Sequence, residues 1–155
     1  MKKLFFIALP VLFIFNTGCL KSSECKPKSV QSEEGTITTY AAANGITAIR
    51  HSSGLYYQVI TPGSGVTPSI NSKIFVTYTG KLLNGTIFDQ QSNSSQTGFL
   101  LSQVIPGWQI GVPLIQKGGE IKLIVPSSLA YGCTAQGPIP ANSVLYFDIV
   151  LVDVQ

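Results

Sequence analysis

The sequence predicts an α+β domain: an antiparallel, twisted sheet of five to six strands wrapped around one short helix and preceded by a flexible tether. Three observations predict it. From Leu55 onward apolar residues recur at every second position, the period of strands with one buried face. One segment, Pro106 to Gly119, breaks that period with helical spacing, and residues 20–35 hold almost nothing that could enter a core.

Leu55, Tyr57 and Val59 share a face before the turn Thr61-Pro62-Gly63-Ser64-Gly65. Within Lys73 to Thr79, Ile74, Val76 and Tyr78 alternate with Phe75, Thr77 and Thr79, and Asn84-Gly85 marks a tight hairpin turn into Thr86-Ile87-Phe88. Ile121, Leu123 and Val125 alternate with Glu120, Lys122 and Ile124; Leu145, Phe147, Ile149 and Leu151 alternate with Tyr146, Asp148, Val150 and Val152. In the helical segment Trp108, Val112 and Ile115 share a face, with Pro106 in the first turn and Gly118-Gly119 past the end. Gly111 and Pro113 oppose a long helix there, since an interior proline costs about 3 kcal/mol. A short helix laid against the sheet is expected.

The N-terminus reads as targeting sequence. Lys2 and Lys3 supply positive charge, and Leu4 to Phe15 is an unbroken apolar run of 12 residues, short for a membrane span and right for a signal-peptide core. Thr17-Gly18-Cys19 places small residues before a cysteine, as at lipoprotein processing sites, whereas Asn16 stands where such sites carry an apolar residue. Lipidation of Cys19 is the expectation, and ordinary cleavage with Cys19 left as a thiol is the alternative. The division that follows is a signal peptide over residues 1–18, a lipid-anchored tether over 19–50 and a folded domain over 51–155. Within the tether Ile37, Tyr40, Ala41 and Ala43 fall at the spacing of a short helix between Thr36 and Ile49, with Asn44-Gly45 as its stop. An exported protein held at the membrane, facing the periplasm, is expected.

Charge and composition exclude several classes. The chain carries 10 Lys/Arg and 7 Asp/Glu, and loss of Lys2 and Lys3 with the signal leaves it almost neutral, with no basic face for nucleic acid. No metal site and no cofactor are expected: there is no close Cys pair, no phosphate-binding glycine loop, and the single histidine, His51, has no partner nearby. If Cys19 carries lipid, Cys25 and Cys133 remain as an even pair in an oxidising compartment, either bridged to each other or left as two separate thiols.

What remains is a set of aromatic and aliphatic residues beside turn residues. In chain order, Val76-Thr77-Tyr78-Thr79-Gly80, Asn84-Gly85-Thr86-Ile87-Phe88-Asp89, Gln103-Val104-Ile105-Pro106-Gly107-Trp108, Val125-Pro126-Ser127-Ser128-Leu129-Ala130-Tyr131-Gly132 and Ile139-Pro140-Ala141-Asn142-Ser143-Val144-Leu145-Tyr146-Phe147-Asp148 resemble the FKBP-type peptidyl-prolyl cis/trans isomerases, bacterial lipoprotein members in particular. The resemblance covers roughly residues 52–154.

The resemblance implies an FKBP-like sheet and an apolar pocket lined by Tyr78, Phe88, Val104, Ile105, Trp108, Tyr131, Ile139 and Phe147, with Trp108 as its floor and Asp89 as its polar member. Tyr78, Phe88, Asp89, Tyr131 and Phe147 take the catalytic roles in that implication; Val104, Ile105, Trp108 and Ile139 bind substrate. The backbone N–H of Ile105 and the hydroxyl of Tyr131 would meet carbonyls of the ligand. Proline-containing polypeptides are the implied partners, and macrolides such as rapamycin the implied inhibitors. The implied activity is prolyl isomerisation that assists folding of exported proteins; a non-catalytic chaperone or binding module using the same groove is the alternative. Two departures stand out. The loop Gln90 to Gly98 is short and uncharged and lacks a basic residue to brace Asp89, and Phe99 matches a core strand position better than the pocket wall that this loop contributes in the family.

Overall fold

The computed structural model describes residues 25–93 and 98–155, so the signal peptide expected over residues 1–18 and the lipidation expected at Cys19 lie outside the described residues. A helix α1 (Val30–Ala43) leads into strands β1 (Ile49–Arg50), β2 (Tyr56–Thr61), β3 (Lys73–Leu82), β4 (Ile87–Gln91) and β5 (Phe99–Leu100). Helix α2 (Pro106–Gly111), β6 (Glu120–Val125) and β7 (Leu145–Val154) complete the order. All seven strands form one sheet in the order β1-β2-β6-β7-β3-β4, with β5 added to β3, and every pairing is antiparallel. The sheet exceeds the expected five to six strands because β1 and β5 are only two residues each, too short to show a period.

The inner face is the one that the alternation predicts. Leu55, Ile74, Val76, Ile121, Leu123, Leu145, Ile149 and Leu151 are almost wholly buried and pack with Trp108, Val112 and Ile115. The obstacles to a long helix are resolved by its shortness. α2 ends at Gly111, and a tight 3-10 turn, Val112–Leu114, takes Pro113 in its first turn, where a missing N–H costs nothing. Gly111 is needed for approach: a Cβ there would meet Leu123 Cδ1 at 2.7 Å. The hairpin between β3 and β4 closes where Asn84-Gly85 places it, with Gly85 at φ +91° and the Asn84 side chain accepting the Thr86 N–H at 3.0 Å.

The N-terminal region departs from the expected tether. The helix begins at Val30, six residues before Thr36, and Ser29 caps it by accepting the Ser32 N–H at 3.3 Å. Gly35, Thr36, Thr38 and Thr39 are poor helix formers, so packing must hold this helix. Ile37 and Ala41 are buried against Tyr56, Ile124 and Tyr146, which point to the face of the sheet opposite α2. Tyr40 stacks obliquely on Tyr146 at 5.6 Å, and the Tyr56 hydroxyl donates to Glu34 Oε1 at 2.8 Å. The sheet therefore has a second apolar layer, and the folded unit starts before residue 51. A strand, β1, also lies inside the span expected to be tether.

Candidate active site

Between α2 and the curled ends of β3, β4 and β7 opens a cavity of about 290 Å³. It is lined by Tyr78, Phe88, Asp89, Val104, Ile105, Trp108, Tyr131 and Phe147 from the predicted set, joined by Phe99 and Gln103. Ile139 is buried in the adjoining core and is not part of the lining.

Each wall follows from local structure. Register brings Gly80 opposite both Asp89 on β4 and Phe147 on β7, so Phe88 and Phe147 converge over the glycine. A Cβ on Gly80 would meet Phe88 at 2.7 Å and Phe147 at 3.0 Å, so only glycine lets the two rings meet there, edge to face, at 5.6 Å. Trp108 sits in the first turn of α2 and is 4% exposed. Its ring meets Tyr78 at 5.0 Å and Phe147 at 5.3 Å, both edge to face, which holds the indole in place in the lining. Gln109 holds the entrance to the helix by donating from Nε2 to the carbonyl of Val104 at 2.8 Å. The N–H of Ile105, at the N-terminal boundary of α2, has no acceptor among the described residues and is free for a ligand carbonyl.

Asp89 is the only carboxylate in the lining among the described residues, and it accepts the Tyr78 hydroxyl at 2.6 Å. That bond replaces the missing basic brace: among the described residues Asp89 has no ion-pair partner. Burial, and then the bond to Asp89, push the Tyr78 phenol well above its ordinary range. Burial, and then the nearby Asp89 charge, also raise that of Tyr131. Both hydroxyls therefore stay protonated at neutral pH; the Tyr78 proton is committed to Asp89, which leaves the Tyr131 hydroxyl as the donor. Tyr131 follows the tight turn Ser127–Leu129, whose Ser127 carbonyl accepts the N–H groups of Ala130 and Gly132 at 3.1 and 2.9 Å.

Sequence reasoning missed two members of the lining. Phe99 does belong to strand β5, as expected of a core position, and it also faces the indole at 6.4 Å and Tyr78 at 6.2 Å. The near wall thus has an aromatic, contributed from after the loop instead of from within it. An aromatic directly following an uncharged polar run was the available signal. Gln103 opens the motif that runs on to Val104, Ile105 and Trp108, and that adjacency was its available signal. Outside the cavity, Cys25 and Cys133 are joined by a disulfide, and His51 accepts the Ser53 N–H at 3.1 Å in the turn before β2.

An antiparallel sheet packed on one short helix, with an aromatic cavity between them and a carboxylate, Asp89, in its lining, is the arrangement that the described residues form. Residues 65–152 match the family described as FKBP-type peptidyl-prolyl cis-trans isomerase, and the chain belongs to that family. It is 44% identical over 105 residues to FkpA, an FKBP-type peptidyl-prolyl cis-trans isomerase of Escherichia coli K12, a match covering 67% of this chain and 39% of the relative. The chain thus spans about two fifths of that relative's length. The crystal structure of FkpA from Escherichia coli superposes with a TM-score of 0.71 at 37% identity, over 81% of this chain and 61% of that one. A peptidyl-prolyl cis-trans isomerase from Pseudomonas syringae pv. tomato superposes at 0.68 with 28% identity, over 84% of this chain and 98% of that one.

Proposed function

We propose that this protein catalyses cis/trans isomerisation of Xaa-Pro bonds in exported polypeptides, using the cavity floored by Trp108. The observation that carries the reading is the combination of an aromatic box with one free backbone donor, Ile105 N–H, and one aspartate at its edge.

The chemistry suits that box. Resonance holds the peptide bond planar behind a barrier of about 18–20 kcal/mol, so uncatalysed Xaa-Pro rotation takes tens of seconds. No bond breaks, and no nucleophile is needed. When the amide twists, resonance is lost and its carbonyl becomes less polar, so a water-poor aromatic cavity favours the twisted state over the planar one. The Trp108 and Phe147 faces fit a proline ring, the Ile105 N–H and Tyr131 hydroxyl hold flanking carbonyls, and Asp89, fixed by Tyr78, faces the rotating group. A thousandfold acceleration needs only about 4 kcal/mol of preference for the twisted state. The same box would admit a macrolide such as rapamycin, which is expected to compete with the peptide.

The test is the isomerisation rate of a short Xaa-Pro peptide. Wild-type protein should accelerate it at least a hundredfold, rapamycin should suppress the acceleration, and Asp89→Ala should lower kcat/KM about tenfold. A folded protein that leaves the rate at its uncatalysed value, while still suppressing aggregation of an unfolded chain, would identify a holding module instead.

The leader supports a second, separate proposal about place. Lys2-Lys3, the apolar run Leu4 to Phe15 and Thr17-Gly18-Cys19 read as a lipoprotein signal, which would anchor the mature chain at Cys19 on the periplasmic side of a membrane. Cys19→Ala should move the protein from the membrane fraction to the soluble one; retention in membranes would refute the anchor.

A further inference from the structure

The isomerase reading leaves residues 25–43 without a role, although they touch the loop that carries Tyr131 at two separate points. At the first, Glu33 is 2% exposed, and its Oε2 accepts the backbone N–H of Ser127 at 2.9 Å. Ser127 is fully buried and anchors the turn into Tyr131 through its own carbonyl. At the second, Cys25 is bonded to Cys133, two residues beyond Tyr131. There Asn142, in the left-handed region at φ +56°, donates from Nδ2 to the Lys26 carbonyl at 3.1 Å and from its backbone N–H to the Gly132 carbonyl at 2.7 Å. Tyr131 lies between these two fixed points.

We propose that residues 25–43 form a two-point brace that aims Tyr131 at the cavity, with Glu33 as its positioning residue. The proposal rests on the isomerase reading above for its kinetic consequence, and on the geometry alone for its structural one.

Glu33 is more than a helix anchor needs. Docking of α1 is already provided by Ile37, Ala41 and the bond between Glu34 and Tyr56. A buried carboxylate is costly, and Glu33 Oε1 has no hydrogen-bond partner among the described residues. Its place in the first turn of α1 offsets part of that cost, since the helix N-terminus favours negative charge. What it accomplishes is to satisfy one buried N–H at the point where β6 gives way to the Tyr131 loop. Without that acceptor the closed loop would bury an unpaired donor, and the loop would open to find water.

The experiment is a double-mutant cycle on peptide isomerisation with Glu33→Ala, Glu33→Gln and Tyr131→Phe. Glu33→Ala should lower kcat/KM about fivefold to tenfold. Glu33→Gln, which keeps an acceptor oxygen, should stay within about twofold of wild type. In the Tyr131→Phe background Glu33→Ala should cost less than about twofold more, because the hydroxyl being positioned is already gone. Equal losses in both backgrounds, or no loss, would overturn the brace. If Glu33→Ala does not fold, the Cys25→Ser/Cys133→Ser pair is carried through the same cycle with the same criteria. Amide hydrogen exchange decides the structural half without any turnover: in Glu33→Ala the Ser127 amide, and in Cys25→Ser/Cys133→Ser the Gly132 amide, should lose protection while Leu123 and Ile149 keep theirs. Unchanged protection overturns the brace; an inactive wild type overturns only the isomerase reading.

Discussion

Trp108→Ala should lower stability by about 3–5 kcal/mol and kcat/KM for an Xaa-Pro peptide by on the order of a hundredfold. The two losses have one origin. Trp108 is 4% exposed and makes edge-to-face contacts with Tyr78, Phe99 and Phe147, so its removal takes away both a large part of the inner core and the surface on which a proline ring would rest. The surrounding elements can collapse only partly, because the indole is set at the start of a six-residue helix pinned at Gly111 against Leu123. Trp108→Phe separates the two effects. A phenyl ring keeps an aromatic floor while leaving a smaller void, so stability should fall by about 1–2 kcal/mol and kcat/KM by less than about tenfold. Equilibrium unfolding in urea reads the first quantity, and the peptide assay, run well below the midpoint, reads the second. An alanine variant with wild-type kcat/KM would place the reaction elsewhere on the molecule.

The parts of this fold that were legible are those whose signal is local. Alternation along β3, β6 and β7 assigned Ile74, Val76, Ile121, Leu123, Leu145, Phe147, Ile149 and Leu151 to one face, and all of them meet in the inner core. Helix α1 was half legible because only Ile37 and Ala41 carry its buried stripe, while Glu33, on the same side, reads as solvated until its partner 94 residues away is known. The second layer was hidden for a related reason. Tyr56, Ile124 and Tyr146 occupy positions that alternate with the inner face, and only the arrival of α1 makes them core. In the cavity, motif order located eight of the ten lining residues. Phe99 escaped because its strand is two residues long and its pocket face depends on pairing with Lys73 and Ile74.

Opening the bridge between Cys25 and Cys133 should lower stability by about 3–4 kcal/mol, close to the effect of losing the indole, by an entirely different route. The two cysteines are 108 residues apart, so the cross-link closes a loop spanning most of the folded unit. Its main action is on the unfolded chain, whose conformational freedom it restricts; loop-closure entropy for a loop of this size comes to about 4.7 kcal/mol before any native strain is subtracted. The folded state loses less, since α1 remains docked through Ile37 and Ala41 and Glu33 still holds Ser127. Thermal unfolding of the Cys25→Ser/Cys133→Ser protein should therefore show a midpoint lower by roughly 10 °C. Its unfolding should remain a single cooperative transition, with the near-ultraviolet signal of Trp108 unchanged before melting. A midpoint within about 2 °C of wild type, in protein shown by thiol titration to have carried the bridge, would mean that the unfolded chain is already compact around these two segments.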